Sequence, residues 1–111
     1  YKLKGRDQYF TFVEAQAGDR RYFKAYAADK LDGEWKPLAD ARDAPFAGAA
    51  NIGNDPWADS VSHGELLRSG TDERMEVDPH DVRLVFQGVS DADRKGKKYG
   101  DIPWRLGLLE L

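Results

Sequence analysis

Tyr9-Phe10-Thr11-Phe12-Val13, Ala17-Gly18-Asp19 and Arg21-Tyr22-Phe23-Lys24-Ala25-Tyr26 succeed one another along the chain. The outer two stretches are dense in aromatic and β-branched side chains, which suit a pleated, half-buried surface. The glycine–aspartate pair between them is turn chemistry. The apolar period is two rather than 3.6, so the stretch predicts a β-hairpin. Before it, Tyr1-Lys2-Leu3-Lys4 alternates as a strand, and Gly5-Arg6-Asp7 reads as a turn. After it, Asp32-Gly33 turns the chain into a short strand around Glu34-Trp35-Lys36. Four short strands joined by tight turns predict an antiparallel meander of the size of one propeller blade.

Residues 37–58 have a different character. Pro37, Pro45, Gly48, Gly53, Asn54 and Pro56 punctuate them, which predicts a long crossing loop. Strand character returns in Ser60-Val61-Ser62-His63-Gly64-Glu65-Leu66-Leu67-Arg68, before a turn at Ser69-Gly70-Thr71-Asp72. Arg74 to Val77 and Val82 to Gly88 read as two more strands, parted by Asp78-Pro79-His80-Asp81. Ser90 to Lys98 is a polar loop, and Trp104 to Leu109 a last strand. Helix is limited to one turn, at Asp40 to Asp43. The expected count is roughly eight strands in two groups of four. No exact internal repeat marks the two groups, so the division rests on spacing.

A chain of 111 residues and 12.5 kDa makes one domain, residues 1–111. It is 41% hydrophobic and 12% aromatic, which supports a packed core. Seventeen basic residues against 20 acidic ones give a net charge of -3, so there is no electrostatic case for nucleic acid or an anionic membrane as partner. The absence of cysteine excludes disulfides, thiolate chemistry and Cys-based zinc sites. No apolar run is long enough to span a bilayer, and no signal peptide opens the chain. The chain begins at Tyr1 rather than methionine, so the expectation is a mature, trimmed or partial protein.

Among candidate chemical groups, Glu14 closes the strongly apolar run Phe10 to Val13. Such a carboxylate lies either at a solvated strand end or in a pocket, where desolvation raises its pKa and suits a general acid. In Ser62-His63-Gly64-Glu65, alternation puts His63 and Glu65 on one face and Ser62 on the other. No nucleophile elbow surrounds Ser62, and by itself His63 reads as a hydrogen-bonded strand histidine. Asp78-Pro79-His80-Asp81 is ordinary turn chemistry. The scattered Asp29, Asp32, Asp40 and Asp43 lack the spacing of a calcium loop. Arg94 to Lys98 lies beside Asp91 and Asp93 and reads as a solvated loop. Trp35, Trp57, Trp104, Tyr9, Tyr22 and Tyr99 suit stacking on sugar rings, although most aromatic residues of a β protein are core.

Taken in order, these pieces resemble glycoside hydrolase family 62, whose members are α-L-arabinofuranosidases. The resemblance is carried by Tyr1 to Gly5, Val13-Glu14-Ala15, Arg21-Tyr22-Phe23 and Leu31-Asp32-Gly33-Glu34-Trp35. It continues through Ala44 to Asn51, Trp57, Ser62-His63-Gly64-Glu65, Asp78-Pro79, Phe86-Gln87-Gly88 and Ile102 to Leu109, and so spans essentially the whole chain. It implies an all-β fold, the C-terminal part (about two blades of antiparallel meander) of a five-bladed β-propeller. It also implies a secreted, extracellular enzyme that removes arabinofuranosyl branches from arabinoxylan or arabinose-substituted oligosaccharides with inversion. That chemistry sets acid and base roughly 6.5–9.5 Å apart. By the same resemblance Glu14 falls on the general acid, and His63 on a histidine associated with a calcium ion. Tyr99 falls on a substrate-contacting tyrosine, and Arg105, in Ile-Pro-Trp-Arg, on a substrate-binding arginine. A single imidazole implies a weak, water-rich calcium site.

The chain departs from the family pattern in three places. Tyr99-Gly100 stands where the family has Tyr-Asn, His80 where a cysteine often comes after the Asp-Pro turn, and Lys24 where an arginine comes after Tyr-Phe. A lysine there gives up bidentate contact. Five blades need about twenty strands and roughly 200–280 residues, so the base and a tuning aspartate are expected in blades this chain lacks. The isolated chain is then expected to be inactive, with exposed blade faces that favour self-association. The alternative is a non-catalytic carbohydrate-binding or structural β-domain derived from a propeller glycosidase. The residues leave open the linkage specificity and the oligomeric state.

Overall fold

β1 (Tyr9–Ala17) and β2 (Arg20–Ala28) form the hairpin that the sequence predicts, in register from Tyr9↔Ala28 to Ala17↔Arg20. The structure is a computed structural model that describes residues 1–53 and 56–111. The hairpin loop is Gly18-Asp19, and Gly18 has φ 62°. A positive φ at the first of two loop residues is where a type II′ turn requires glycine. β3 (Lys36–Ala39) pairs with the far end of β2 to complete a three-stranded antiparallel sheet of order β1-β2-β3.

The second sheet has the order β4-β5-β6, from β4 (Ser60–Leu66), β5 (Arg83–Val89) and β6 (Arg105–Glu110), again antiparallel. One core serves both sheets. Phe10, Phe23 and Ala25 of the first meet Val61, Leu66, Leu84, Phe86 and Leu109 of the second, with Ala47 and Val77 from loops. Phe12 meets Phe23 edge-on, with ring centroids 5.1 Å apart, and half-buried Phe46 packs beside both Phe10 and Phe12. Ser60 and Ser62 are wholly buried where β4 faces β2, and the Ser60 Oγ accepts from the Arg21 N–H at 3.3 Å. Small hydroxyl side chains let the two sheets approach there without stranding a backbone donor.

The all-β class and the antiparallel meanders hold, but the strand count does not. Six strands stand among the described residues, three in each sheet, in place of two groups of four. Tyr1 to Lys4 and Arg74 to Val77 are strand-like only at single bridges, Lys2↔Tyr9 and Leu3↔Val77. They bond to each other through Lys2 N–H to the Arg74 carbonyl (3.0 Å) and Val77 N–H to the Lys2 carbonyl (3.0 Å), which ties the first sheet to the loop after β4. Gly5 (φ 72°) and Met75 (φ 49°) break extension before either segment can lengthen. Asp40 to Asp43 forms no helix but leads to a bridge, Asp40↔Pro45. The long loop carries β3 and a 3-10 turn at Ala49–Ile52, and its Asn54 lies outside the described residues. The one α-helical turn among the described residues is α1 (Asp91–Arg94), where the Ser90 Oγ accepts from the Asp93 N–H at 3.0 Å. A serine cap with Asp91 and Asp93 in the first turn is a helix start that the polar surroundings hide.

Candidate active site

Phe10, Phe12, Glu14 and Gln16 lie on one face of β1, since alternate residues share a face. The apolar part of that face enters the core, and Glu14 begins where the core ends. Its side chain is 29% exposed. Across the hairpin Glu14 pairs with Phe23 and Gln16 with Arg21, so Arg21 is the diagonal neighbour of Glu14. The Arg21 Nη1 donates to the Glu14 Oε1 at 2.9 Å.

The other carboxylate oxygen is held from the second sheet. The Glu14 Oε2 accepts from the Ser62 hydroxyl at 2.8 Å and from the His63 backbone N–H at 2.9 Å. That N–H is free because β4 bulges between Ser62 and Glu65, taking His63 (φ 42°) out of the ladder with β5. Gly64 completes the bulge. A Cβ there would stand 2.8 Å from the Leu84 Cδ1 and 3.1 Å from the Phe23 Cζ, so only glycine lets the bulge sit on the core. The His63 Nδ1 lies 3.0 Å from the Ser62 Oγ and 2.7 Å from the Gln87 Nε2. The bulge overturns the expected alternation: Ser62 and His63 both reach Glu14, while Glu65 turns to Arg68 at 3.0 Å.

Burial pushes the Glu14 carboxyl up, as a pocket should. The His63 N–H, the Ser62 hydroxyl, and the Arg21 and His63 charges outweigh it and hold the group below the usual glutamate range. In this chain Glu14 is a carboxylate at neutral pH, not the proton-bearing acid that a desolvated pocket predicts. It anchors charge and joins the two sheets.

Tyr99 lies in a 3-10 turn (Tyr99–Asp101), 63% exposed, with the Arg21 guanidinium 5.7 Å from its ring centroid. Glu14, His63 and Tyr99 therefore meet around Arg21 and Ser62. Arg105, at the start of β6, is paired with Asp93 at 3.2 Å and lies over the Trp57 ring at 5.3 Å. Trp57 itself stacks on Phe86 (5.6 Å), so it serves the interior more than a sugar platform. In the Asp-Pro turn the Asp78 Oδ1 accepts from the His80 N–H at 3.0 Å, as turn chemistry requires. Among the described residues no three His, Cys, Asp or Glu side chains converge on one point. The one carboxylate at His63 has both oxygens occupied by Arg21, Ser62 and His63 itself. Calcium takes six to eight oxygen ligands, so a site at His63 of the kind the family resemblance implies would draw most of them from water and from residues outside this chain.

Arg21, Ser62 and Gln87 are the site residues that sequence reasoning missed. Arg21 carried a usable signal: with a two-residue turn at Gly18-Asp19, it must lie diagonal to Glu14 on the same face. Ser62 and Gln87 carried none, because the bulge that aims them is invisible in the alternation.

A carboxylate gripped at the junction of two sheets, beside an arginine and an open aromatic ring, is the arrangement of a polar ligand site. The sequence model for glycosyl hydrolase family 62 matches residues 1–110. The chain belongs to that family. It is 47% identical over 113 residues to alpha-L-arabinofuranosidase C of Cellvibrio japonicus (strain Ueda107), a match that takes in 100% of this chain and 18% of that protein. The catalytic domain of the Coprinopsis cinerea GH62 alpha-L-arabinofuranosidase superposes with a TM-score of 0.88 at 38% identity, over 99% of this chain and 35% of that one. The Podospora anserina alpha-L-arabinofuranosidase PaAbf62A, in complex with cellotriose, gives 0.87 at 37% identity over 99% and 35%. A GH62 hydrolase in complex with xylotriose gives 0.88 at 36% identity over 100% and 35%. The chain thus spans about a third of the length of the solved relatives it matches.

Proposed function

We propose that this chain carries the acid side of an α-L-arabinofuranosidase site that removes arabinofuranosyl branches from arabinoxylan by inverting hydrolysis. Glu14 is the general acid that protonates the leaving oxygen, and Tyr99 and Arg105 contact substrate. The base and a tuning aspartate come from residues outside this chain, which supplies about two blades of a five-bladed propeller. Supporting this are the family, the arabinofuranosidase activity in its relatives' names, the xylotriose and cellotriose bound to two of them, and two antiparallel sheets sharing one core. The observation that carries the reading is Glu14 itself, part-exposed between Ser62 and Arg21, whose guanidinium also faces the Tyr99 ring.

The low pKa of Glu14 fits an incomplete site. A glycosidase acid must hold a proton near neutral pH, which requires desolvation or a nearby like charge. A second carboxylate and a sugar that excludes water would both push Glu14 up, and an inverting enzyme brings both. Without them the group stays ionised and no base is present, so the isolated chain releases no arabinose. The test is arabinose release from arabinoxylan by this chain and its Glu14→Gln variant. Release that disappears in the variant would overturn the claim of incompleteness. In a longer chain that does hydrolyse arabinosides, Glu14→Gln lowers kcat by about 10²–10⁴-fold, and an unchanged kcat there would remove Glu14 from the acid role.

The same low pKa favours a second reading, a carbohydrate-binding β-domain in which Glu14 and Arg21 anchor sugar hydroxyls. Arabinoxylan affinity electrophoresis separates the two, since retardation of the isolated chain without turnover in any longer chain supports binding alone.

A further inference from the structure

The segment between β5 and β6, residues 90–104, pairs with no strand, yet it is fastened to the tip of the β1–β2 hairpin. The Asp91 carboxylate accepts two arginines. Its Oδ2 takes the Arg20 Nε (3.0 Å) and Nη2 (2.6 Å), and its Oδ1 takes the Arg94 Nη2 at 2.7 Å. The Asp59 Oδ2 accepts the Asp91 N–H at 2.7 Å, and its Oδ1 lies 3.5 Å from the Arg20 Nη2. The Arg94 Nη1 donates to the Asp19 carbonyl in the hairpin turn. Single exposed ion pairs are worth little, but here two arginines and two aspartates from three segments form one network with forked contacts.

Arg20 and Arg21 are consecutive on β2, so they leave opposite faces of the strand. Arg20 takes Asp91, and Arg21 takes both Glu14 and the Tyr99 ring. The loop therefore straddles the hairpin tip and touches it on both sides. Between the attachments lies a cleft of about 170 Å³, whose walls include Gln16, Arg21, Arg94, Tyr99 and Trp104. Tyr99 is 63% exposed and stands on this segment, so its place depends on how the loop is fastened.

We infer that Arg20 is a positioning residue: through Asp91 it clasps residues 90–104 over the hairpin tip and sets where Tyr99 stands against Arg21 and Glu14. The clasp is a claim about this chain alone. Its effect on substrate rests on the reading of Tyr99 proposed above.

Hydrogen–deuterium exchange of the chain tests the clasp. Arg20→Ala speeds exchange of amides 91–101 at least fivefold and leaves the β4–β5 ladder unchanged. Arg20→Lys, which has one charge point in place of the fork, falls between. The Tyr99 ring proton shifts move in Arg20→Ala and return toward the parent values in Arg20→Lys. Unchanged exchange at 91–101 in Arg20→Ala overturns the clasp whatever the activity. In a longer chain that hydrolyses arabinosides, Arg20→Ala raises KM several-fold with kcat within twofold. Loosened exchange with KM unchanged overturns the positioning role and removes Tyr99 from substrate binding, while leaving the role of Glu14 to its own test.

Discussion

Ser62→Ala tests whether Glu14 is held as a carboxylate by its donors or merely lies near them. Ser62 is wholly buried, and its hydroxyl stands 2.8 Å from the Glu14 Oε2. Alanine fits the same space, so the change removes the donor to Glu14 together with the hydroxyl's contacts to the His63 Nδ1 (3.0 Å) and the Arg21 Nη1 (3.4 Å), which do not depend on the Glu14 charge. A hydrogen bond to a charged group is worth about 1.5–3 kcal/mol. The Glu14 side chain is 29% exposed and keeps the His63 N–H and Arg21, so water and the remaining donors bring the loss to about 1–1.5 kcal/mol at pH 7. For a domain of this size that lowers Tm by about 4–8 °C. The Glu14 carboxyl titrates below its ordinary range when folded, so its bonds add stability that is complete above the unfolded value and disappears as the pH falls through the folded one. Once Glu14 is protonated the bond to Ser62 is neutral and about half as strong. The Ser62→Ala penalty, measured by urea unfolding against the parent at each pH, therefore shrinks by about half as the pH falls from 7 through the folded value of Glu14. In a Glu14→Gln background it stays near that halved value at every pH. A penalty that is flat with pH, or unchanged in that background, would refute the argument that Ser62 supports a charge.

Other perturbations probe the fold and the clasp. Gly107→Ala drives a Cβ to 2.6 Å from the Phe86 Cζ and 2.8 Å from the Trp57 Cζ2. The rings must part, costing about 1–3 kcal/mol and shifting the near-UV circular dichroism of the Trp57–Phe86 stack. Gly18→Ala places a side chain at φ 62° in the hairpin turn and costs about 1 kcal/mol by thermal unfolding, with no change in secondary structure. Ser90→Ala removes the α1 cap and costs about 0.5–1 kcal/mol, seen as faster amide exchange at residues 91–95. The Arg20 hydrogen bond, then that of Arg94 and both arginine charges, hold the Asp91 carboxyl below the usual aspartate range. Protection of 91–101 therefore persists above the ordinary aspartate value of about 3.9 and is lost as the pH falls through the folded value. Protection lost above pH 5 would mean that another group controls the loop.

The first sheet was legible in the sequence because its hairpin carries three agreeing signals: period two, aromatic density and a glycine at the one loop position that needs a positive φ. β4, β5 and β6 were legible as short apolar stretches bounded by turn residues. Tyr1 to Lys4 and Arg74 to Val77 alternate as strands do, but each stops within a few residues at a positive φ, and alternation does not report length. The site was half legible. Glu14 shows as the first charged side chain after an apolar run, and His63 and Tyr99 through their motifs. The contacts that decide Glu14's charge come from the other sheet, across a bulge that moves His63 off the ladder. A bulge reverses the facing of the residues beyond it, so Ser62 and Glu65 fall on the wrong sides when alternation is extended through it. Arg105 was placed by its motif alone, and no periodicity signal announces its contacts with Asp93 and Trp57.

At the rim of the core the two sheets meet through Glu14, Arg21, Ser60 and Ser62, and this bears on why one carboxylate serves both fold and site. The Glu14 Oε1 is bound by the first sheet and its Oε2 by the second, so moving one sheet against the other must lengthen a bond to an ionised group. That makes the carboxylate a rivet as long as it is charged. A glycosidase acid has to be neutral before it acts, and neutralising Glu14 weakens the same bonds. Both demands are met only if the charge is displaced by something that also braces the site, such as a bound sugar and a second carboxylate held by further sheets. Glu14 is then expected to titrate low in this chain and higher once ligand and neighbouring blades surround it. A carbon-13 titration of the Glu14 carboxyl, in the chain and in a longer hydrolytic one with and without xylotriose, reads that difference directly. Equal values in all three would separate the rivet from the acid and leave Glu14 a structural group.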